Sequence, residues 1–253
     1  MIGIFDSGSG GLTVVKAIRE KLPSSDIIYF GDIKNAPYGM RSREELSKLT
    51  LAGLKLLSDK GATRIVSACN SVSASLAVSL LEASDITPDR LIEMVSPTVG
   101  YFRHADAPIL LCATKATIES GIYQNAFSML GKEIQTLAIP DLAGAIEFGK
   151  SEGDLEEIIK NAFAAIPSDS YRVAILACTH YPLVQKIFER VLGPKVMVFD
   201  PAEAVAERVE KLWWPQEVGK GTAHFYISKD SEPFRRFVAE TMGKSVYTVE
   251  VIE

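Results

Sequence analysis

Three cysteines occur in the chain, and two of them have matching surroundings: Ser67-Ala68-Cys69-Asn70-Ser71 and Leu176-Ala177-Cys178-Thr179-His180. Each follows an apolar, strand-like run and precedes small polar residues and a helix-like segment. Ligands of open α/β sheets bind at the carboxyl ends of strands, so both thiols are expected to be presented at a site. The positive end of a following helix would lower a thiol pKa from its free value of roughly 8.5 and favour thiolate near neutral pH. Zinc-binding spacing is absent, because none of Cys69, Cys112 and Cys178 has a second cysteine within a few residues. The Cys-x-x-Cys redox motif is missing too, although a catalytic disulfide stays open. Cys112, inside Ile109-Leu110-Leu111-Cys112-Ala113, reads as core filling.

Four other places carry candidate chemistry. Phe5-Asp6-Ser7-Gly8-Ser9-Gly10-Gly11 runs from a strand into a glycine-rich turn whose amides, at a helix start, suit an anionic group. Its spacing is not that of a dinucleotide fingerprint. Asp6 is either a helix cap or a catalytic orienter. In Gly31-Asp32-Ile33-Lys34-Asn35-Ala36-Pro37-Tyr38-Gly39, Pro37 and Gly39 set a turn whose amides can meet a carboxylate, with Tyr38 shaping the pocket. His180, two residues after Cys178, is placed to relay charge to that thiol or to hydrogen-bond its substrate. Glu147, in Gly144-Ala145-Ile146-Glu147-Phe148, reads from its own neighbours as a helix-surface charge, and His104 and His224 read as structural.

The elements that must hold these residues alternate regularly. Apolar runs are expected as strands near Ile2 to Phe5, Ile27 to Phe30, Arg64 to Ala68, Leu91 to Val95, Ile109 to Ala113, Ile134 to Ile139, Val173 to Ala177 and Val196 to Phe199. Helical periodicity marks Leu12 to Leu22, Arg43 to Asp59, Val72 to Glu82, Ile118 to Leu130, Leu155 to Ala165, Pro182 to Leu192, Ala202 to Trp213 and Glu232 to Met242. A last strand-like pair, Thr222 to Ser228 and Ser245 to Val251, flanks the final helix and suits a sheet edge. This is the pattern of an α/β fold with mostly parallel sheets covered by helices. Ser96-Pro97-Thr98 through Ala107-Pro108 reads as a crossing between two halves.

Composition narrows the class of function. With 253 residues, 47% of them apolar, the chain can bury one large core or two smaller ones. A formal charge of -5 and the lack of a Lys/Arg run argue against nucleic-acid binding and for a small-molecule ligand. An odd number of cysteines makes no disulfide framework, no apolar stretch approaches a membrane span, and Met1-Ile2-Gly3-Ile4-Phe5-Asp6 has no signal-peptide character. A cytoplasmic protein is expected.

Asp6-Ser7-Gly8, Pro37-Tyr38-Gly39, Ala68-Cys69-Asn70-Ser71, Thr114-Lys115-Ala116-Thr117-Ile118 and Cys178-Thr179-His180-Tyr181-Pro182, in this order, resemble the glutamate racemases of the cofactor-independent aspartate/glutamate racemase superfamily. The resemblance spans nearly the whole chain. It implies two similar Rossmann-like α/β domains facing a shared cleft, 1–95 plus 208–253 and 96–207, with no cofactor, no metal and no membrane. By the same resemblance Cys69 acts on D-glutamate and Cys178 on L-glutamate, assisted by Asp6, His180 and Glu147. Asp6, Ser7, Tyr38, Gly39, Asn70, Ser71, Thr179 and His180 match the substrate-binding positions. D-glutamate for peptidoglycan synthesis is the implied product, and a homodimer is compatible.

Departures fall at Ile33 and Asn35, at Ser71 and Val72 where the usual pair is Thr-Ala, and at Pro201 after Asp200. Both thiols are untouched by them. The chemistry itself asks for such a layout: inversion of a chiral carbon needs a base on one face and an acid on the other, with sulfurs about 7 Å apart and Cα between them. Racemisation of aspartate or another amino acid, and non-catalytic amino-acid binding on the same scaffold, stay open.

Overall fold

The computed structural model describes residues 1–73 and 86–252. Its strands are parallel throughout and form two sheets. One contains β1 (Ile2–Asp6), β2 (Ile27–Gly31), β3 (Arg64–Ser67), β4 (Leu91–Glu93) and, from much later in the chain, β9 (Ala223–Ile227) and β10 (Tyr247–Val251), in the order β10-β9-β2-β1-β3-β4. The other contains β5 (Ile109–Ala113), β6 (Gln135–Ala138), β7 (Val173–Ala177) and β8 (Met197–Phe199), in the order β6-β5-β7-β8. Every residue of β1, β2, β5 and β7 is buried, as strands covered by helices on both faces must be, which is why they read as unbroken apolar runs.

Register places the chemistry at one edge of each sheet. Ile2 lies opposite both Ile27 and Arg64, and Phe5 opposite Ser67, so Asp6 and the Cys69 turn leave the first sheet side by side. In the second sheet Ala113 pairs with Ala177, which puts Thr114 beside Cys178 in the same way.

Helices hold the sheets by their apolar stripes. Helix α1 (Leu12–Lys21) buries Leu12, Val14, Val15 and Ile18, each contributing about 1.5–3 kcal/mol, so Val15→Asp would break this layer. Helix α2 (Arg43–Asp59) starts at a capping box in which the Ser42 and Glu45 side chains bond each other's backbone amides. After β3 comes a short α3 (Asn70–Ser73); the rest of the helix expected over Val72 to Glu82 lies outside the described residues. Helix α4 (Val95–Tyr101) forms where a crossing segment was expected. The Glu93 carboxylate ends β4 early by accepting the Val95 and Ser96 amides.

The single helix expected over Ile118 to Leu130 is two, α5 (Lys115–Glu119) and α6 (Ile122–Ser128), separated at Gly121, whose φ of 67° a side chain resists. A short α7 (Leu142–Glu147) and α8 (Glu152–Phe163) follow β6. Pro182 lies in a 3-10 turn, Tyr181–Val184, and the α-helix proper, α9 (Gln185–Leu192), begins after it. Pro201 occupies the first turn of α10 (Pro201–Trp213), where a missing N–H costs nothing. Helix α11 (Glu232–Met242) joins α1 and α10 over the first sheet through Phe234, Val238, Val205 and Val209. No helix among the described residues is long and apolar enough to cross a membrane.

Candidate active site

Where the two chemical edges meet, a cavity is lined by Ser7, Pro37, Tyr38, Gly39, Cys69, Asn70, Ser71, Thr114, Ala143, Cys178, Thr179 and His180. The enclosed space is about 10 Å³, room for roughly one water. Both candidate thiols are therefore in one wall-to-wall chamber, yet nearly sealed: Cys69 is 5% and Cys178 6% exposed. Asp6 and Glu147 are outside the cavity wall and act on it through Thr179 and His180.

Around Cys69 the expected thiolate is not favoured. Burial pushes this thiol up to about 12, with the Asp6 charge adding to it and outweighing the hydrogen bonds with Ser7 and the Val72 backbone. A single described turn of helix does not compensate for that desolvation. Cys69 Sγ donates to Ser7 Oγ at 3.6 Å. Asp6 is not a cap of α1; its Oδ1 accepts from the Gly8 amide at 2.9 Å and its Oδ2 from the Thr179 hydroxyl at 2.9 Å. Burial raises Asp6 above its ordinary value despite the nearby His180 and these hydrogen bonds.

Around Cys178 the partners are different. His180 Nδ1 faces Cys178 Sγ at 4.0 Å, and His180 Nε2 meets Glu147 Oε2 at 2.5 Å. Burial alone would lower the imidazole, but its contacts with Cys178 and Glu147 hold it well above the usual histidine range. Burial alone would raise Glu147, but hydrogen bonds from His180 and Ser9, with the His180 charge, keep it below the usual range. The two form a buried imidazolium–carboxylate pair. Glu147 is thus a core group, 1% exposed, and the surface-charge reading of it fails. Its remaining lone pairs accept from the Ser9 amide at 2.8 Å and the Ser9 hydroxyl at 3.0 Å.

Those bonds also correct the expectation for the glycine-rich turn. Its Gly8 and Ser9 amides serve the protein's own carboxylates, Asp6 and Glu147, rather than an incoming anion. At Gly10 the approach of the second half is so close that an added Cβ would meet Thr179 Oγ1 and lie 2.7 Å from the His180 amide nitrogen.

The remaining walls are braced from behind. Tyr38 donates its hydroxyl to Asp32 at 2.6 Å, and Asp32 also accepts from Ser228 at 2.7 Å and from Asn35. The Tyr38 hydroxyl is committed there. Asn70 Oδ1 accepts from Tyr123 at 2.6 Å, and Ser71 Oγ pairs with Thr114 Oγ1 at 3.0 Å. Reading the sequence did not single out Ser9, Thr114 or Tyr123 individually. Thr114 and Ser9 belong to strand-end motifs, whereas nothing local distinguishes Tyr123 from any core tyrosine.

The model of the Asp/Glu/hydantoin racemase family matches residues 9–209, which hold both cysteine turns, Glu147 and His180. The chain belongs to that family. Glutamate racemase of Aquifex aeolicus (strain VF5) is 33% identical over 97% of this chain and 95% of its own length. Two solved structures are also similar across all of this chain and 97% of theirs. They are a glutamate racemase isoform of Bacillus anthracis (TM-score 0.88, 26% identity) and the Francisella tularensis glutamate racemase in complex with D-glutamate (TM-score 0.86, 28% identity). As a racemase, this family member is an isomerase, and its two parallel sheets are the family's α/β architecture.

Proposed function

We propose that the protein interconverts L- and D-glutamate without a cofactor, passing the Cα proton between Cys69 and Cys178. The observation supporting this most directly is that both thiols line one narrow, nearly closed chamber while each has its own acid–base neighbours, Asp6 and Ser7 for one, His180 with Glu147 for the other. In the L-to-D direction Cys178 removes the proton and Cys69 returns one to the opposite face. A Cys69 thiol held protonated is already set to donate.

The site must lower a barrier by roughly 8 to 23 kcal/mol, chiefly by placing donors around the carbanionic intermediate. Ser7, Tyr38, Gly39, Asn70, Ser71, Thr179 and His180 are assigned to bind the substrate, and Asp6, expected among them, to support binding through the Thr179 hydroxyl. Space for about one water does not hold an amino acid, so substrate entry requires the halves to part and close again. We assign those halves to 1–95 plus 208–253 and 96–207, place the enzyme in the cytoplasm, and assign its D-glutamate to peptidoglycan synthesis.

Incubation of reduced protein with L-glutamate in D2O is expected to yield D-glutamate carrying deuterium at Cα, and Cys69→Ser or Cys178→Ser to abolish it. Folded, reduced protein that neither inverts nor exchanges the Cα proton of glutamate would overturn the proposal. Turnover of aspartate in preference to glutamate would keep the reaction and replace the substrate.

A further inference from the structure

We propose that Tyr123 is a positioning residue, which orients the Asn70 side chain so that its Nδ2 donates to the bound substrate. The proposal rests on the racemase reading above and adds a residue to it. Asn70 directly follows Cys69, lines the cavity and is 2% exposed. An asparagine amide presents either a donor or an acceptor end, and the choice matters where the ligand is a carboxylate: one end attracts it and the other repels it. In this site the acceptor end is taken. Tyr123 belongs to α6 in the second half, is fully buried with Val95, Val99 and Phe127, and donates its hydroxyl to Asn70 Oδ1 at 2.6 Å.

That packing leaves the ring no room to follow a turning amide. Burial, with the Glu93 charge, raises the tyrosine above its usual range, so the hydroxyl keeps its proton and remains a donor. Asn70 Nδ2 is buried and has no hydrogen-bond partner among the described residues. An unpaired buried donor is costly, and because Asn70 lines the cavity an acceptor on the bound substrate would satisfy it. The bond also runs between the halves, so orientation of Asn70 is completed only when the site is shut.

The test compares steady-state kinetics with glutamate for wild type, Tyr123→Phe, Asn70→Ala, the double variant and Asn70→Asp. Tyr123→Phe is expected to raise KM about tenfold, the value of one hydrogen bond, with little change in kcat. Asn70→Ala should raise KM at least as much, and adding Tyr123→Phe to it should change nothing further, since the tyrosine acts through the amide. Asn70→Asp keeps the acceptor for Tyr123 and replaces the donor with a carboxylate, so it should fold and raise KM more than alanine does. An unmoved KM in Tyr123→Phe, an equal rise in the Asn70→Ala background, or an unmoved KM in Asn70→Asp overturns the role. With an active wild type those results sink the positioning role alone. A wild type without turnover sinks the racemase reading and this role with it.

Discussion

Thr179 donates its hydroxyl to Asp6 across the cleft at 2.9 Å, so the residue after one thiol is bonded to the acid beside the other. The second cross-link runs in the opposite sense: Glu147, partner of His180, accepts from Ser9 in the turn that follows Asp6. Each thiol's acid–base environment is therefore complete only with a contribution from the other half.

Asp6→Asn tests the cost of the first link. Burial raises the folded Asp6 above its unfolded 3.8, so its stabilising contribution is full below about pH 3.8 and is lost as pH rises through the raised value. Wherever the acid is ionised inside the fold, its buried charge is a burden. Asparagine should raise Tm at pH 7.5 by about 2–4 °C, equivalent to roughly 1 kcal/mol, and lose that advantage near pH 4. Turnover should fall by about 100-fold or more. A lower Tm at pH 7.5 would contradict the assignment.

Glu147→Gln tests the second link. The raised His180 gives stability that is full below 6.5 and lost as pH climbs through its folded value. The lowered Glu147 gives stability that is full above 4.5 and lost as pH falls through its folded value. Both are present between pH 4.5 and 6.5, where breaking this buried pair should cost about 3 kcal/mol, and the loss should shrink at alkaline pH. The variant's kcat/KM should drop about 10- to 100-fold, and its pH profile should shift to lower pH as the imidazole titrates more easily. Denaturation midpoints and pH–rate profiles measure both; a stability difference that does not vary with pH refutes the pairing.

Much of this scaffold was legible before the structure. Strands Ile109–Ala113 and Val173–Ala177 and helices Arg43–Asp59 and Glu232–Met242 have the expected bounds, because buried parallel strands and capped amphipathic helices write local patterns. The gathering of Cys69, Asn70, Ser71, Cys178, Thr179 and His180 around one space followed from two strand-end motifs. What escaped was non-local. Glu147 looks solvated from its own neighbours, and only the family resemblance pointed to it, because its partners Ser9 and His180 are far away in sequence; the protonated Cys69 reflects desolvation that no spacing records. The short α4 and α7 carry too few turns to show a period, and the Gly121 break hides inside an otherwise helical pattern.

Gly10→Ala tests the closeness of the halves. Its Cβ would lie 2.7 Å from the His180 nitrogen and against Thr179 Oγ1, both across the cleft. The clash is relieved when the halves separate, so the protein should fold with Tm changed by only a few degrees, roughly 1 kcal/mol, while kcat/KM falls by about 100-fold or more. Wild-type kinetics in this variant would show that such close approach is not needed for turnover.

The strand order of the first sheet has a consequence for biosynthesis. Ile27 of β2 pairs with Ala223 of β9, so one side of β2 waits, unpaired, until nearly two hundred further residues have left the ribosome. The second sheet draws its strands from one continuous stretch, Ile109 to Phe199, and has no such wait. Translation thus makes the N-terminal strands first and completes their sheet last, and through that interval the bare edge of β2 is the place where a nascent chain is most open to pairing with a stranger.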